Sequence, residues 1–151
     1  MVKVNFDRIL PYEAARLWEM VGDVSKYPDY IPWVSSLRVY DLHPIDAEKE
    51  GFDAEIGVGF KFLNERFTTR IVRDRSLKTI DVALLKGPFK KLNCQWKFSD
   101  DPKGCRVQFD IEFEFRNPFL EGVLRANFDK AVSKLMACFE GRAATLYPKA
   151  V

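Results

Sequence analysis

The chain has 151 residues, 47% of them apolar and 14% aromatic, with 13 phenylalanines. That is the length of one domain, and a domain of this size buries roughly 70% of its unfolded surface, so a core can form without disulfide or metal staples. A formal charge of +2, from 24 basic and 22 acidic residues, and a pI near 8.4 lack the basic excess of a nucleic-acid-binding domain, so DNA is not an expected partner. The three cysteines, Cys94, Cys105 and Cys138, are odd in number and have no CxxC spacing. They read as small buried apolar residues in a reducing compartment. The N-terminal MVKVNFDRIL lacks the apolar stretch of a signal peptide, and no apolar run approaches the roughly 20 residues that span a bilayer. The expectation is a soluble, cytoplasmic protein able to visit a membrane surface.

In a strand, apolar residues at alternate positions mark one buried face. Val2–Arg8 is a first, weak strand. Pro11 then opens a helix through Val21, with Leu17 and Val21 at helical spacing, and Asp23 to Tyr30 adds a short second piece. Tyr27-Pro28-Asp29-Tyr30-Ile31-Pro32-Trp33 packs three aromatics and two prolines into seven residues. It reads either as an apolar clasp closing one end of the sheet or as a lid at a cavity mouth, since Trp and Tyr suit a boundary that is apolar on one side and wet on the other. Leu37–Leu42 is a second weak strand and Pro44–Gly51 a polar loop.

Alternation then becomes continuous. It covers Phe52, Ala54, Ile56, Val58, Phe60 and Phe62, then Phe67, Thr69 and Ile71, then Ile80, Val82 and Leu84. It continues through Leu92, Cys94, Trp96 and Phe98, and ends with Cys105, Val107, Phe109, Ile111, Phe113 and Phe115. Turn signals at Leu63-Asn64, Ser76-Leu77, Gly87-Pro88 and Asp101-Pro102-Lys103-Gly104 separate these strands, and short connections imply antiparallel hairpins. Asn117-Pro118 is a helix start. From there Leu120, Leu124, Phe128, Ala131, Leu135, Cys138, Phe139, Arg142 and Leu146 form one stripe, and Pro148 stops the helix after Tyr147. Such a helix is about 45 Å long, more than the width of a compact domain this size. It must lie across the inner face of the sheet, which long twisted strands curl around it. The fold class is α+β: a curved antiparallel sheet of about seven strands gripping a long C-terminal helix, with one or two short helices after the first strand, in one domain spanning residues 1–151. Whether the phenylalanines and tryptophans fill the space under the helix or line a cavity there stays open on composition.

Catalytic agents are scarce. No P-loop, GxSxG, HExxH or GxGxxG motif is present, and Gly57 and Gly59 inside a strand read as a bend or a close packing site. His43 is the one histidine and has no nucleophile beside it. Asp110, Glu112 and Glu114 alternate with apolar residues and so share the solvent face, where general acid–base chemistry lacks a desolvated pocket. The chain is not expected to be an enzyme or to carry a metal. Gly87-Pro88-Phe89-Lys90-Lys91 reads as a hairpin tip, either solvated or inserting its Phe into an anionic interface.

Three segments carry a resemblance. They are Leu17-Trp18 with Val21-Gly22-Asp23-Val24-Ser25-Lys26-Tyr27-Pro28-Asp29-Tyr30-Ile31-Pro32-Trp33, then Trp96-Lys97-Phe98-Ser99 with Val107 to Phe115, and Phe128 to Val132 with Ala137 to Ala144. Together they resemble the coenzyme-Q-binding START-domain family, which belongs to the polyketide cyclase/dehydrase-like helix-grip superfamily. The ribosome-association toxin family is closely similar. The resemblance implies a helix-grip fold, no catalytic residues and no cofactor other than ubiquinone or another isoprenoid lipid as bound ligand. It also implies a quinone chaperone supporting respiration, cytoplasmic or peripheral at the inner face of the respiratory membrane. On that reading the inward strand positions and the helix stripe supply the lining: Phe60, Phe67, Ile71, Val82, Trp96, Phe109, Phe113, Leu124, Phe128 and Leu135. Tyr30, Pro32 and Trp33 stand at the mouth. The alternative partner is the large ribosomal subunit, whose subunit joining would be blocked. It needs a basic patch, for which Arg66, Arg70, Lys90, Lys91 and Lys97 are the candidates. A cyclase on the same fold would need inward polar groups, and the inward positions are almost wholly apolar.

Overall fold

The computed structural model describes residues 2–60 and 63–149; of Phe60 and Leu63 only the backbone is described. Seven strands form one sheet: β1 Val2–Leu10, β2 Val34–Pro44, β3 Lys49–Phe60, β4 Leu63–Asp74, β5 Thr79–Lys86, β6 Phe89–Asp101 and β7 Gly104–Phe115. Every neighbouring pair is antiparallel, in the order β1-β7-β6-β5-β4-β3-β2. Helices α1 (Ala14–Gly22) and α2 (Tyr27–Tyr30) fall between β1 and β2, and α3 (Pro118–Leu146) follows β7. This is the curved sheet and long helix that alternation and helix length imply.

Several boundaries differ from the sequence reading. The first helix begins at Ala14, because Pro11 and Tyr12 serve a bend in which the Tyr12 N–H donates to Leu10 O at 2.9 Å. Pro44 and His43 pair with Glu50 and Gly51 in the β2–β3 ladder, and Lys49 pairs with Asp74 in the β3–β4 ladder, so the polar loop is shorter than expected. Leu63 and Asn64 pair with Phe60 and Gly59 in the β3–β4 ladder rather than forming a turn. Phe62, taken as strand, lies outside the described residues. β6 begins at Phe89, so the Phe and its lysines are ladder residues and not a hairpin tip.

The register sorts the connections into two ends. At one lie the β3–β4 and β5–β6 connections, the start of β1 and the β7–α3 junction. The β2–β3, β4–β5 and β6–β7 turns lie at the other. The β6–β7 turn depends on Gly104. Its φ is +133°, and a Cβ there would fall 2.3 Å from Leu10 O and 2.8 Å from Tyr12 N. In the β4–β5 turn Asp74 accepts from the Leu77 N–H at 3.0 Å and the Ser76 hydroxyl at 2.8 Å. On the free edge, β2 shifts register twice, between Val34 and Ser36 and between Tyr40 and His43. Asp41 sits at the second shift in the left-handed region, φ 55°.

Helix α3 spans 29 residues, about 44 Å. Asn117 caps it, its side chain accepting the Phe119 N–H at 2.9 Å. The buried stripe of its second half is Val132, Met136, Phe139 and Ala143, while Leu146 is 45% exposed. Phe139 keeps its place in the stripe read from the sequence, which is otherwise rotated by one position there. Ala131, Leu135, Cys138 and Arg142 flank the contact, and Val132, Met136 and Ala143 make it. This half packs against α1 as well as the sheet, so the buried stripe turns toward the seam between the two, where Met136 and Phe139 meet Leu17, Met20 and Val21. Trp18 pins α1 to the sheet: its Nε1–H donates to Thr79 O at 3.0 Å and Arg73 stacks on its ring at 4.6 Å.

Candidate functional site

The concave face of the sheet meets α3 in two regions. Under the second half of α3 the space is filled. The Trp96 ring lies 4.3 Å from Phe109 and 5.3 Å edge-on from Phe139, and Tyr27 meets Phe139 edge-on at 5.5 Å. Among the described residues the void between α1, α3 and the sheet, bounded by Leu17, Met20, Trp96 and Phe139, measures about 20 Å³. That is room for about one water molecule and not for a quinone ring.

Under the first half of α3 a separate apolar cluster forms. Val2, Phe89, Leu92, Phe113 and Phe115 are buried, and Phe67, Leu84, Leu120, Leu124 and Phe128 pack on them while remaining partly exposed. No residue of α3 before Val132 is fully buried. Phe89 lies 5.4 Å edge-on from Phe67 and 4.4 Å from Phe115, and is only 8% exposed. Both readings of Phe89, at a solvated hairpin tip or inserted into an anionic interface, are therefore corrected: the ladder turns it inward.

The residues expected at the site divide between these regions. Ile71, Trp96 and Phe109 belong to the filled core, with Tyr30, Trp33, Val82 and Leu135 partly buried around it. Phe113 anchors the second cluster, with Phe67 and Leu124 beside it, and Phe128 touches both clusters. Pro32 is exposed, and the Phe60 side chain lies outside the described residues. Tyr27 was read only as part of the aromatic segment. Its hydroxyl donates to the Val21 carbonyl and so satisfies one of the orphan carbonyls at the C-terminus of α1; burial holds its pKa well above the ordinary tyrosine value. Among the described residues the Tyr30 and Thr69 hydroxyls are buried without a hydrogen-bond partner, and Thr69 is wholly inaccessible.

Burial also pushes up all three thiols, Cys105 to about 11. They remain protonated at neutral pH, poor nucleophiles and poor metal ligands. Among the described residues no group of three His, Cys, Asp or Glu is placed to hold a metal. His43 is exposed, with Nδ1 2.7 Å from its neighbour's carbonyl, Asp41 O. What the interior offers chemically is apolar contact.

The outer face is polar and self-compensated. Arg66 faces Glu55 at 3.8 Å, Arg70 binds Asp53 at 3.1 Å and Lys91 binds Glu112 at 2.8 Å. Arg106 binds Asp7, Nε to Oδ1, at 2.9 Å and lowers its pKa. Asp53 is 6% exposed, covered where the alternation placed it in solvent. The basic patch expected of Arg66, Arg70, Lys90, Lys91 and Lys97 is therefore largely neutralised in place; Lys90 and Lys97 keep no ion pair among the described residues. A shallow concavity of about 450 Å³ on this face is lined by both signs of charge, including Lys3, Arg70, Asp81 and Asp110.

A curved antiparallel sheet around a long helix, with an apolar interior, defines the START-like, polyketide-cyclase-like class of fold. The chain belongs to the family described as polyketide cyclase / dehydrase and lipid transport, which matches residues 10–140. It is 32% identical over 140 residues to the ribosome association toxin RatA of Pseudomonas aeruginosa, covering 92% of this chain and 93% of that protein. It is 24% identical to the coenzyme Q-binding protein COQ10 homolog B, mitochondrial, of Xenopus laevis, covering 97% of this chain and 59% of that protein. Among solved structures, the 18 kDa protein CC1736 of Caulobacter crescentus superposes with a TM-score of 0.83 at 44% identity, covering 97% of this chain and 98% of that one. The Zhui aromatase/cyclase of a Streptomyces species superposes at 0.72 with 16% identity, over 95% of each chain, and shows the shared fold.

Proposed function

We propose that the chain, residues 1–151 acting as one unit, binds a hydrophobic lipid, ubiquinone or a related isoprenoid quinone, between α3 and the sheet and carries it without making or breaking bonds. The observation that supports this reading is the loosely covered apolar cluster under the first half of α3. Large apolar side chains there stay partly exposed next to fully buried ones. Apolar contact is worth about 0.8 kcal/mol per buried CH₂, so a polyprenyl tail gains affinity there without polar chemistry. The lining we propose runs along Phe67, Phe113, Leu124 and Phe128, and the filled region around Ile71, Val82, Trp96, Phe109 and Leu135 would have to open for the cargo to reach further. Tyr30, Pro32 and Trp33 border it, and the cargo serves respiratory electron transport. The name of the Xenopus laevis relative supports the same cargo.

The test is organic extraction of the purified protein followed by mass spectrometry. Quinone should copurify, and Phe128→Ala should lower it severalfold while costing less stability than the about 3–5 kcal/mol of a fully buried aromatic truncation. Equal loss of quinone and of folding would make Phe128 plain core.

A second reading, association with the large ribosomal subunit, is favoured by the names of several relatives at 27–32% identity. Salt-sensitive cosedimentation with large subunits, together with no extractable quinone, would put it first. The paired cations of the outer sheet face count against that face as the contact.

A further inference from the structure

We propose that the corner formed by the β5–β6 turn and the β7–α3 junction is a docking surface for an anionic lipid bilayer. Two hydrogen bonds lock these connections together: the Arg116 N–H donates to Pro88 O at 3.0 Å and Arg116 Nε–H to Phe89 O at 3.3 Å. On this fixed corner the first turn of α3 carries Phe119, 72% exposed, the most open of the large apolar side chains described. Lys86 and Lys90 flank the turn and are exposed. Among the described residues neither forms an ion pair, and Arg116 spends its guanidinium on a neutral carbonyl. The carboxylate of the same helical turn, Glu121, is engaged by the Phe115 N–H at 3.3 Å and by Arg125 at 3.7 Å. The outer sheet face compensates most of its cations with acids, and among the described residues this corner leaves three without an acidic partner around a projecting ring.

That combination suits a bilayer bearing acidic headgroups. The cations meet lipid phosphates, and the ring enters the boundary between headgroup and acyl chain. An RNA surface supplies the phosphates but not the apolar layer. Directly behind the corner lie Phe89, Phe113 and Phe115 with the partly exposed Leu120 and Leu124. A lipid leaving the membrane would thus pass onto apolar surface without crossing water. Only that passage rests on the lipid-carrier reading; the docking stands on the corner itself.

Flotation of the intact protein with vesicles of phosphatidylcholine, alone or mixed with phosphatidylglycerol, tests it. The protein should float with the mixed vesicles, not with phosphatidylcholine alone, and release in high salt. Phe119→Ser, and separately Lys86→Glu with Lys90→Glu, should each weaken binding by about tenfold. Leu77→Ser, an exposed apolar position at the opposite end of the sheet, should float as the parent does. A parent protein that ignores both vesicles overturns the proposal, as does a Leu77→Ser loss equal to that of Phe119→Ser. So does a Phe119→Ser defect seen only in pelleting with large ribosomal subunits. Extracted quinone is read in parallel: docking by a parent that yields no quinone ends the carrier reading and leaves this one standing.

Discussion

Tyr27 and Tyr30 lie about one helical turn apart, both ring edges against Phe139, yet their hydroxyls have opposite consequences. Tyr27 caps α1 through the Val21 carbonyl, whereas the Tyr30 hydroxyl is buried without a partner among the described residues. Removing a made bond and leaving its acceptor orphaned costs about 1–3 kcal/mol, while removing an unmade donor costs little. Tyr27→Phe should lower unfolding free energy in urea by about that amount, and Tyr30→Phe should leave it unchanged or raise it. Equal losses would contradict this assignment of the two hydroxyls. Sequence reading at this scale located the aromatic segment and missed the division of labour within it. A hydroxyl's partner is set by how the chain folds back on the end of α1, six residues upstream, and apolar periodicity does not encode that. Phe89 was misplaced for a related reason: flanking lysines suggest a tip, but the register shift between Phe89 and Lys91 keeps Phe89 pointing inward.

The elements were the most legible level. Period-two alternation identified β3 to β7 because each has one buried face, and Asn117-Pro118 marked the start of α3 correctly. Strand ends were less visible, since ladder pairing extends past the apolar run, as at Lys49–Gly51. The turns carry two predictions. Gly104→Ala should destabilise by at least about 2 kcal/mol, since the φ is one that side chains rarely adopt and the Cβ would meet the backbone of Leu10 and Tyr12. A thermal melt within the error of the parent's would refute the strain. In the β4–β5 turn, the Leu77 N–H first, then the Ser76 hydroxyl and Lys49, hold the Asp74 carboxyl below its ordinary range. A carboxylate with a lowered folded pKa adds stability that is full above its unfolded value of about 3.9 and lost as pH falls through the lower folded one. The melting temperature of Asp74→Ala should therefore sit below the parent's at pH 6, and the gap should narrow as pH falls below about 3.9. Parallel curves would show that the turn does not feel the charge.

For the whole molecule, the sheet order and the place of α3 followed from hairpin logic and helix length. The unevenness of the interior did not. Composition supplies apolar volume without saying which stretch of the helix sits tight. α3 divides at Val132: from there on it contributes fully buried residues to the cluster it shares with α1, and before it none. This division places the lipid-binding proposal at one end of the molecule and makes Phe128, which touches both clusters, its sharpest test. The outer charges were likewise legible as residues but not as pairs. Cross-strand neighbours such as Arg70 and Asp53 become partners only once the register is known.

The sheet curls without closing, so β2 leaves a rim of unpaired backbone. Between its two register shifts only Ser36–Tyr40 keeps a regular rhythm, and Asp41, in its left-handed kink, breaks the rest. A strand from a second copy approaching that rim would gain a few bonds before losing step. At this edge, regular pairing with a second copy is held to one short stretch.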